Sequence, residues 1–227
     1  MNNAITNEHN NERMKIMNLS NVSINTQSSI RIEGSKIIYF DPWKIAEAKH
    51  DADVIFVTHE HHDHYDPESI ANISKSTTIV VAPTSMEEII LKDLKTESCF
   101  LNPNEAKQIA GLEVKAIPAY NNLKPFHTKS KNWLGYVVDL DGTKYYVAGD
   151  TDDNADIRKV DCDVALVPIG GKFTMDYKEA AKYILCLKPK AAVPTHFGDI
   201  IGSPADGREF KKLVEAGDKD IQVELIL

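Results

Sequence analysis

Short alternating stretches of apolar and polar residues open the chain, and longer apolar runs follow. Between positions 22 and 40, apolar residues such as Val22 and Ile24 alternate with polar ones, and Gly34 interrupts the pattern as a turn residue. This alternation predicts short antiparallel strands joined by a hairpin. Residues 53–58 contain a continuous apolar run, which predicts a strand buried on both faces.

The rest of the chain adds further strands and helices. Apolar periodicity predicts strands at 78–82, 111–118, 133–140, 143–148, 163–168, 190–194 and 221–226, and helices at 85–92, 176–187 and 204–215. This order fits a sandwich of two mixed sheets covered by helices, although periodicity alone equally allows a three-layer α/β fold. Because no short repeat or low-complexity linker divides the chain, we expect residues 14–227 to form a single domain.

The composition is that of an ordinary globular protein, with 42% hydrophobic and 26% charged residues in a chain of 227. The formal net charge is −8 and lysine and arginine form no dense cluster, so we expect no nucleic-acid partner. Bound divalent cations can dominate the field inside a site, so an anionic small-molecule substrate is compatible with this charge. The three cysteines are widely spaced and indicate neither a disulfide framework nor a thiolate zinc cage.

The apolar runs and the amino terminus indicate whether the protein enters a membrane or is secreted. Every apolar run is far shorter than the roughly 18 residues that a membrane span requires, so we expect none. Residues 1–13 are rich in asparagine and lack the features of a secretory signal. We therefore expect a disordered tail at 1–13 and a cytoplasmic protein. No pattern predicts the oligomeric state.

The stretch His-Glu-His-His-Asp-His at 59–64 directly follows the predicted buried strand and holds four of the eight histidines. Imidazole nitrogens and carboxylate oxygens are the natural ligands of a borderline metal such as zinc, and bonds of about 2.0–2.2 Å require them to converge. Asp66 and Pro67 then suit the N-cap and first position of a helix. A solvated histidine-rich turn is the alternative, whereas an expression tag would lie at a terminus. We expect a metal-binding loop between a strand and a helix.

The spacing His59-x-His61-x-Asp63-His64 resembles the signature of the metallo-β-lactamase superfamily. That resemblance implies an α/β fold, a four-layer αββα sandwich of two mixed β-sheets flanked by helices. It also implies three more ligands after later strands: a histidine, then an aspartate that bridges two metals, then a final histidine.

Candidates for these positions follow in the expected order. Asp150 comes after an apolar strand, and Gly149 before it permits a close backbone approach. His196 follows the predicted strand 190–194 and resembles the last ligand. His127 is assigned to the remaining position by elimination, because it is the only histidine between the first motif and Asp150. The family places this ligand nearer the preceding strand, where Asn121 would be a poor zinc ligand, so we expect His127 to reach in from an extended loop.

The resemblance further implies a binuclear site. One divalent ion would be held by His59, His61 and His127, the other by Asp63, His64 and His196, with Asp150 between them. Zinc is the expected metal, with manganese or iron as alternatives. Bound metal lowers the pKa of water and so supplies hydroxide at neutral pH. Asp63 would act catalytically, orienting this hydroxide or accepting its proton during attack on an acyl or phosphoryl centre.

Two further segments, Pro-Ala-Tyr-Asn at 118–121 and Asn-Trp-x-Gly-Tyr at 132–136, resemble a group of small metal-dependent hydrolases. That group is similar to ascorbate-6-phosphate lactonases and to N-acyl-phosphatidylethanolamine phospholipase D. The resemblance implies cleavage of a phosphodiester, a lactone, or another ester or amide bond in a small substrate. It gives the reaction class and leaves the substrate open.

Other residues near these motifs have open roles. Asp41 resembles a family position that hydrogen-bonds a ligand histidine, and a simple turn aspartate explains it equally well. Glu60 and His62 fall at the variable positions of the motif and should point away, although His62 could support a ligand or contact substrate. Lys172 and Phe173 lie in a loop that could border the site or be a plain connection.

Other functions compete with hydrolysis of a small molecule. A degenerate member of the fold could bind a ligand or partner without turnover, but the apparently complete ligand set argues against it. A di-iron oxidoreductase would carry glutamate at the second ligand position, where this chain has His61. A nuclease is disfavoured by the acidic chain.

Overall fold

The computed structural model describes residues 16–226, in which thirteen β-strands form two sheets. The predicted disordered tail at 1–13 lies outside the described residues. The first sheet contains β1 (Val22–Thr26), β2 (Ser29–Glu33), β3 (Ile37–Phe40), β4 (Ala52–Phe56), β5 (Ser74–Pro83) and β6 (Glu97–Leu101). Its strands lie in chain order. The first three pair antiparallel, whereas β3 to β6 pair parallel, so the sheet is mixed.

The second sheet is also mixed. It contains β7 (Ala106–Ile109), β8 (Leu112–Pro118), β9 (Leu134–Leu140), β10 (Thr143–Val147), β11 (Val164–Pro168), β12 (Ala191–Thr195) and β13 (Gln222–Val223). These strands again lie in chain order, antiparallel from β7 to β10 and parallel from β10 to β13. All five residues of β11 are buried, as expected of a central parallel strand covered on both faces.

Four α-helices cover the outer faces of the sheets. They are α1 (Pro67–Ile73), α2 (Glu87–Asp93), α3 (Tyr177–Leu187) and α4 (Pro204–Gly217). Side chains of α1 and α2 pack on the first sheet, for example Ile70 and Ile90, which share a buried cluster with Ile55. Side chains of α3 and α4 pack on the second, for example Ile184 and Phe210. None of the helices within residues 16–226 combines the length and apolar character needed to cross a membrane.

The largest core lies between the two sheets. The rings of Phe40 and Phe56 in the first sheet stack with centroids 4.8 Å apart, and Tyr136 of the second sheet contacts Phe56 at 5.1 Å. Helix, sheet, sheet and helix therefore form four layers. The predicted αββα sandwich is confirmed, and the three-layer alternative is wrong because the sheets bury their apolar faces against each other.

Sequence patterns missed or misjudged some edge elements. Strands β6 and β7 were not predicted, because an edge strand exposes polar side chains and keeps little of the apolar pattern of a buried one. At the other edge of the second sheet, β13 covers Gln222–Val223, whereas the pattern predicted 221–226. These differences lie away from the strand ends that carry the candidate chemistry.

Candidate metal centre

The carboxyl ends of strands from both sheets meet at one edge of the sandwich. Asp41 follows β3 and His59 follows β4 in the first sheet, while Asp150 follows β10 and His196 follows β12 in the second. Parallel strands end at the same edge, so residues distant in sequence come together there. His127 comes from the loop between β8 and β9 and is also buried.

Gly149 allows the two sheets to approach closely beside Asp150. It has a φ of 64°, a left-handed conformation that glycine adopts without strain. A Cβ at this position would lie 3.0 Å from the Leu134 carbonyl oxygen and 3.1 Å from Cβ of Thr58. The backbone nitrogen of Leu134 in turn donates to the Thr58 carbonyl, at 3.1 Å. The close approach predicted for this glycine is therefore confirmed.

The loop from 59 to 64 turns tightly. The backbone nitrogens of His64 and Tyr65 donate to the His61 carbonyl oxygen, at 2.9 and 2.8 Å, and this turn brings Asp63 and His64 back toward the end of β4. Helix α1 then begins at Pro67, with the Asp66 side chain capping it by accepting from the backbone of Glu68, as predicted.

The donor atoms of all seven predicted metal-site residues converge. They form three overlapping groups, each with its atoms within 4.8 Å of one another: His59, His61 and His127; His59, His64 and Asp150; and Asp63, His64 and His196. Asp150 lies between the first and last groups, with one carboxylate oxygen 3.3 Å from Nε2 of His127 and the other 3.3 Å from Nε2 of His64. The first and last groups match the two ligand sets that the resemblance implied.

The chemistry of these donors fits divalent metal ions. Nε2 of His64, Nε2 of His127 and one oxygen of Asp150 are buried and have no hydrogen-bond partner among the residues the structure describes. Buried polar atoms are rarely left unsatisfied, so three such atoms gathered in one cluster of histidines and aspartates fit a bound ion. Imidazole nitrogens that converge with carboxylate oxygens are suited to zinc and similar ions.

Neighbouring side chains fix the orientation of two histidines of the loop. Asp41 is fully buried and accepts from Thr58 Oγ1 and from Nδ1 of His64, both at 2.7 Å. Because Thr58 gives its hydroxyl proton to Asp41, its oxygen is free to accept from Nδ1 of His59, 2.9 Å away. Both Nε2 atoms are thereby left to face the cluster. Asp41 therefore supports a histidine of the cluster, and is more than a turn aspartate.

Asn121 supports His127. Its Nδ2 donates to the Phe173 carbonyl at 2.9 Å, so its Oδ1 is the acceptor for Nδ1 of His127, also at 2.9 Å. The backbone nitrogen of Asn121 donates to the His127 carbonyl at 2.7 Å and closes the loop. The sequence indicated only that Asn121 would be a poor zinc ligand, and its role in supporting His127 was not predicted.

Trp133 was also missed. Its ring lies 4.7 Å from that of His59, 4.9 Å from His61 and 5.3 Å from His127, measured between centroids. Its Nε1 donates to Glu60 at 2.9 Å, and Glu60 contributes to none of the donor groups among the described residues. The segment 132–136 carried the only sequence signal, through its resemblance to small hydrolases.

Burial and charge shift the acid–base behaviour of the cluster. Burial lowers the pKa of His59 well below its ordinary value, and the neighbouring His64 lowers it further. Burial opposes ionisation of Asp63, but the hydrogen bond from His196 and the charge of His64 lower its pKa to about 2. Burial would lower the pKa of His64, but Asp150 and Asp41 raise it well above its ordinary value.

The remaining candidates lie outside the cluster. The side chain of His62 is 80% exposed, and its ring packs edge-on against Trp43. Phe173 contacts Phe126 edge-to-face at 4.8 Å, beside His127. Lys172 is exposed, with its ammonium group over the Phe173 ring. The loop that holds Phe173 therefore borders the candidate site through Asn121, and the exposed Lys172 packs over the Phe173 ring.

Comparison with known proteins agrees with this geometry. Residues 22–196 match the family model described as Beta-lactamase superfamily domain. The UPF0173 metal-dependent hydrolase of Pyrococcus furiosus is 38% identical, over 81% of this chain and 87% of the relative. The UPF0173 metal-dependent hydrolase of Pyrococcus abyssi is 39% identical, over 83% of this chain and 88% of the relative. Among solved structures, a provisionally assigned metal-dependent hydrolase of Parabacteroides distasonis has a TM-score of 0.76 and 27% identity, covering 90% of this chain and 91% of that one. The chain belongs to the metallo-β-lactamase superfamily, among its UPF0173 metal-dependent hydrolases.

Proposed function

We propose that this metal-dependent hydrolase works with two divalent ions, most suitably zinc, held in the cluster described above. The observation that supports two ions is the division of the donor atoms into one group around His61 and another around Asp63, with Asp150 reaching both. One ion would take His59, His61 and His127, and the other would take Asp63, His64 and His196. The donor set also suits manganese or iron.

Bound at this position, the ions would lower the pKa of water to supply hydroxide at neutral pH and would polarise the group under attack. Asp63 is the residue that we assign to the attacking water. Its Oδ2 lies 3.2 Å from Nε2 of His196, and its side chain is 12% exposed, so Asp63 contacts the cluster and keeps some access to solvent. A carboxyl group with a pKa of about 2 is ionised but weakly basic, so Asp63 would mainly orient the nucleophile.

The substrate would be a small molecule with a phosphodiester, a lactone, or another ester or amide bond. A positively charged metal pair can bind an anionic group although the chain as a whole is acidic. A di-iron oxidoreductase is not favoured, because the second ligand position is His61. A binding protein without turnover is not favoured either, because no member of the ligand set is missing from the cluster.

The direct test is hydrolysis of a generic phosphodiester, bis-p-nitrophenyl phosphate, and of a simple γ-lactone by zinc-reconstituted protein. We expect turnover of at least one of them, and a fall in kcat of about 10²- to 10⁴-fold in Asp63→Asn, which keeps the size of the side chain and removes its charge. Asp161→Asn is the matched control, because that carboxylate is exposed and precedes β11, at the opposite end of the strands. Equal activity of Asp63→Asn and wild type would contradict the assignment.

The proposal covers residues 14–227 as one hydrolase domain. The cytoplasmic location stays a prediction from the short apolar runs and the amino-terminal sequence, and the lack of a nucleic-acid partner stays a prediction from charge.

A further inference from the structure

Gln27 is a buried amide without a visible role. It lies in the turn between β1 and β2 with a φ of 49°, in the left-handed region that non-glycine residues seldom adopt. Its side chain is among the buried polar groups, at 4% exposure, and both its Nε2 and its Oε1 lack a hydrogen-bond partner within residues 16–226. A buried amide with neither group satisfied is costly, so Gln27 calls for an explanation.

His196 lies directly beside it. The backbone nitrogen of His196 donates to the Gln27 carbonyl oxygen at 3.0 Å. The two segments are joined again at Asp199, which accepts from Thr26 at 3.1 Å and from Lys44 at 2.8 Å. The turn that holds Gln27 is thus tied to the loop that follows His196.

His196 is also the exception among the buried histidines of the cluster. Nδ1 of each of the others has an oxygen partner: Thr58 for His59, Asp41 for His64 and Asn121 for His127. Nδ1 of His196 is buried and has no such partner in the described part of the chain. One unpartnered ring nitrogen and one unpartnered amide therefore occur on two residues that are already joined through their backbones.

We propose that Gln27 is the positioning residue for His196. Its Oε1 accepts the proton on Nδ1 of His196 through one buried water, since the two atoms make no direct hydrogen bond in the structure, and this leaves Nε2 of His196 free for the metal. The inference rests on the proposed function, since it assigns Nε2 to a metal ion. It extends to His196 the support that the structure shows for the other three histidines.

The test compares Gln27→Leu with Gln27→Glu in the full chain. Leucine is similar in size and cannot accept a hydrogen bond, whereas glutamate can. We expect Gln27→Leu to weaken zinc binding, measured by competition with a chelator, by about 10- to 100-fold, and Gln27→Glu to restore it. In zinc-loaded wild type, ¹⁵N-edited NMR should show a Nδ1 proton on His196 protected from exchange, and Gln27→Leu should lose that protection.

Asn21→Ala is the matched control. This residue precedes β1, at the other end of the same hairpin, and its amide oxygen is likewise buried without a partner in the range described. It should bind zinc as wild type does. The proposal is overturned if Gln27→Leu binds zinc as wild type does. If KM rises in that variant while zinc affinity is unchanged, Gln27 contacts substrate instead. His61→Ala distinguishes failure of the proposed function from failure of this inference alone. If His61→Ala retains all its metal, the proposed function fails. If it loses metal while Gln27→Leu does not, only the role of Gln27 is contradicted.

Discussion

Oδ1 of Asn121 accepts a hydrogen bond from Nδ1 of His127, 2.9 Å away, while the Asn121 amide nitrogen donates to the Phe173 carbonyl. The Asn121 side chain thus selects the His127 tautomer that leaves Nε2 unprotonated. It also links His127 to the loop after β11. Histidine ligands of metals commonly depend on such a partner for orientation.

Asn121→Ala should therefore weaken metal binding without removing a ligand. We expect about a 10- to 100-fold loss of affinity for one metal equivalent, measured by isothermal titration with zinc. The neighbouring Asn122→Ala is the control, because its amide nitrogen donates to the Asp153 carbonyl and not to a histidine. Equal affinities in the two variants would show that the hydrogen bond to His127 has no role in binding.

Asp41→Asn should destabilise the metal-free protein. Asp41 is fully buried and accepts from the Thr58 backbone nitrogen and hydroxyl and from His64, each at 2.7 Å, and an amide can replace only part of this acceptor set. We expect a loss of about 2–3 kcal/mol in the free energy of unfolding in urea.

Asp141→Asn provides the comparison for Asp41→Asn. Asp41 and Asp141 both have a left-handed φ, of 45° and 55°, but Asp141 is exposed, so the change in stability of Asp141→Asn should stay within about 0.5 kcal/mol. A loss as small in Asp41→Asn would mean that the buried carboxylate does not support the fold.

Metal binding should release protons at neutral pH. Burial alone would lower the pKa of His64, but Asp150 and Asp41 raise it well above its ordinary value, so the metal-free protein carries a proton that the metal must displace. The apparent affinity should therefore rise with pH, by about tenfold per unit while His64 is protonated. Zinc titrations in buffers of different ionisation enthalpy measure the protons released, and a count of zero at pH 7 would contradict this expectation.

Much of the cluster could be predicted because its signals are local. His59 to His64 are adjacent in sequence, and Asp150 and His196 each follow a strongly apolar strand, at the positions that the resemblance to the superfamily implied for further ligands. His127 needed elimination, since its loop between β8 and β9 has no apolar period to fix where it folds. The structure places its ring 5.0 Å from that of His61, between centroids.

The supporting residues could not be predicted in the same way. Trp133 and Gln27 act through neighbours that are distant in sequence or on another sheet, whereas Asn121 bonds His127 only six residues away within an irregular loop. A single asparagine, tryptophan or glutamine has no spacing that reveals such a partner. Strands β2, β3 and β4 separate Gln27 from His59 in the sequence. The position of Gln27 beside His196 depends on how the two sheets pack. Edge strands such as β6 escaped prediction for a related reason, because their burial depends on tertiary neighbours.

The most direct measurement is elemental analysis of zinc-reconstituted protein alongside His61→Ala, with His62→Ala as the control. His61 and His62 are adjacent, but only His61 contributes to a donor group, whereas the His62 side chain is 80% exposed. We predict about two divalent metal atoms per chain in wild type and in His62→Ala, and a clear loss in His61→Ala. Absence of metal from reconstituted wild type, or equal metal in all three proteins, would contradict the metal centre.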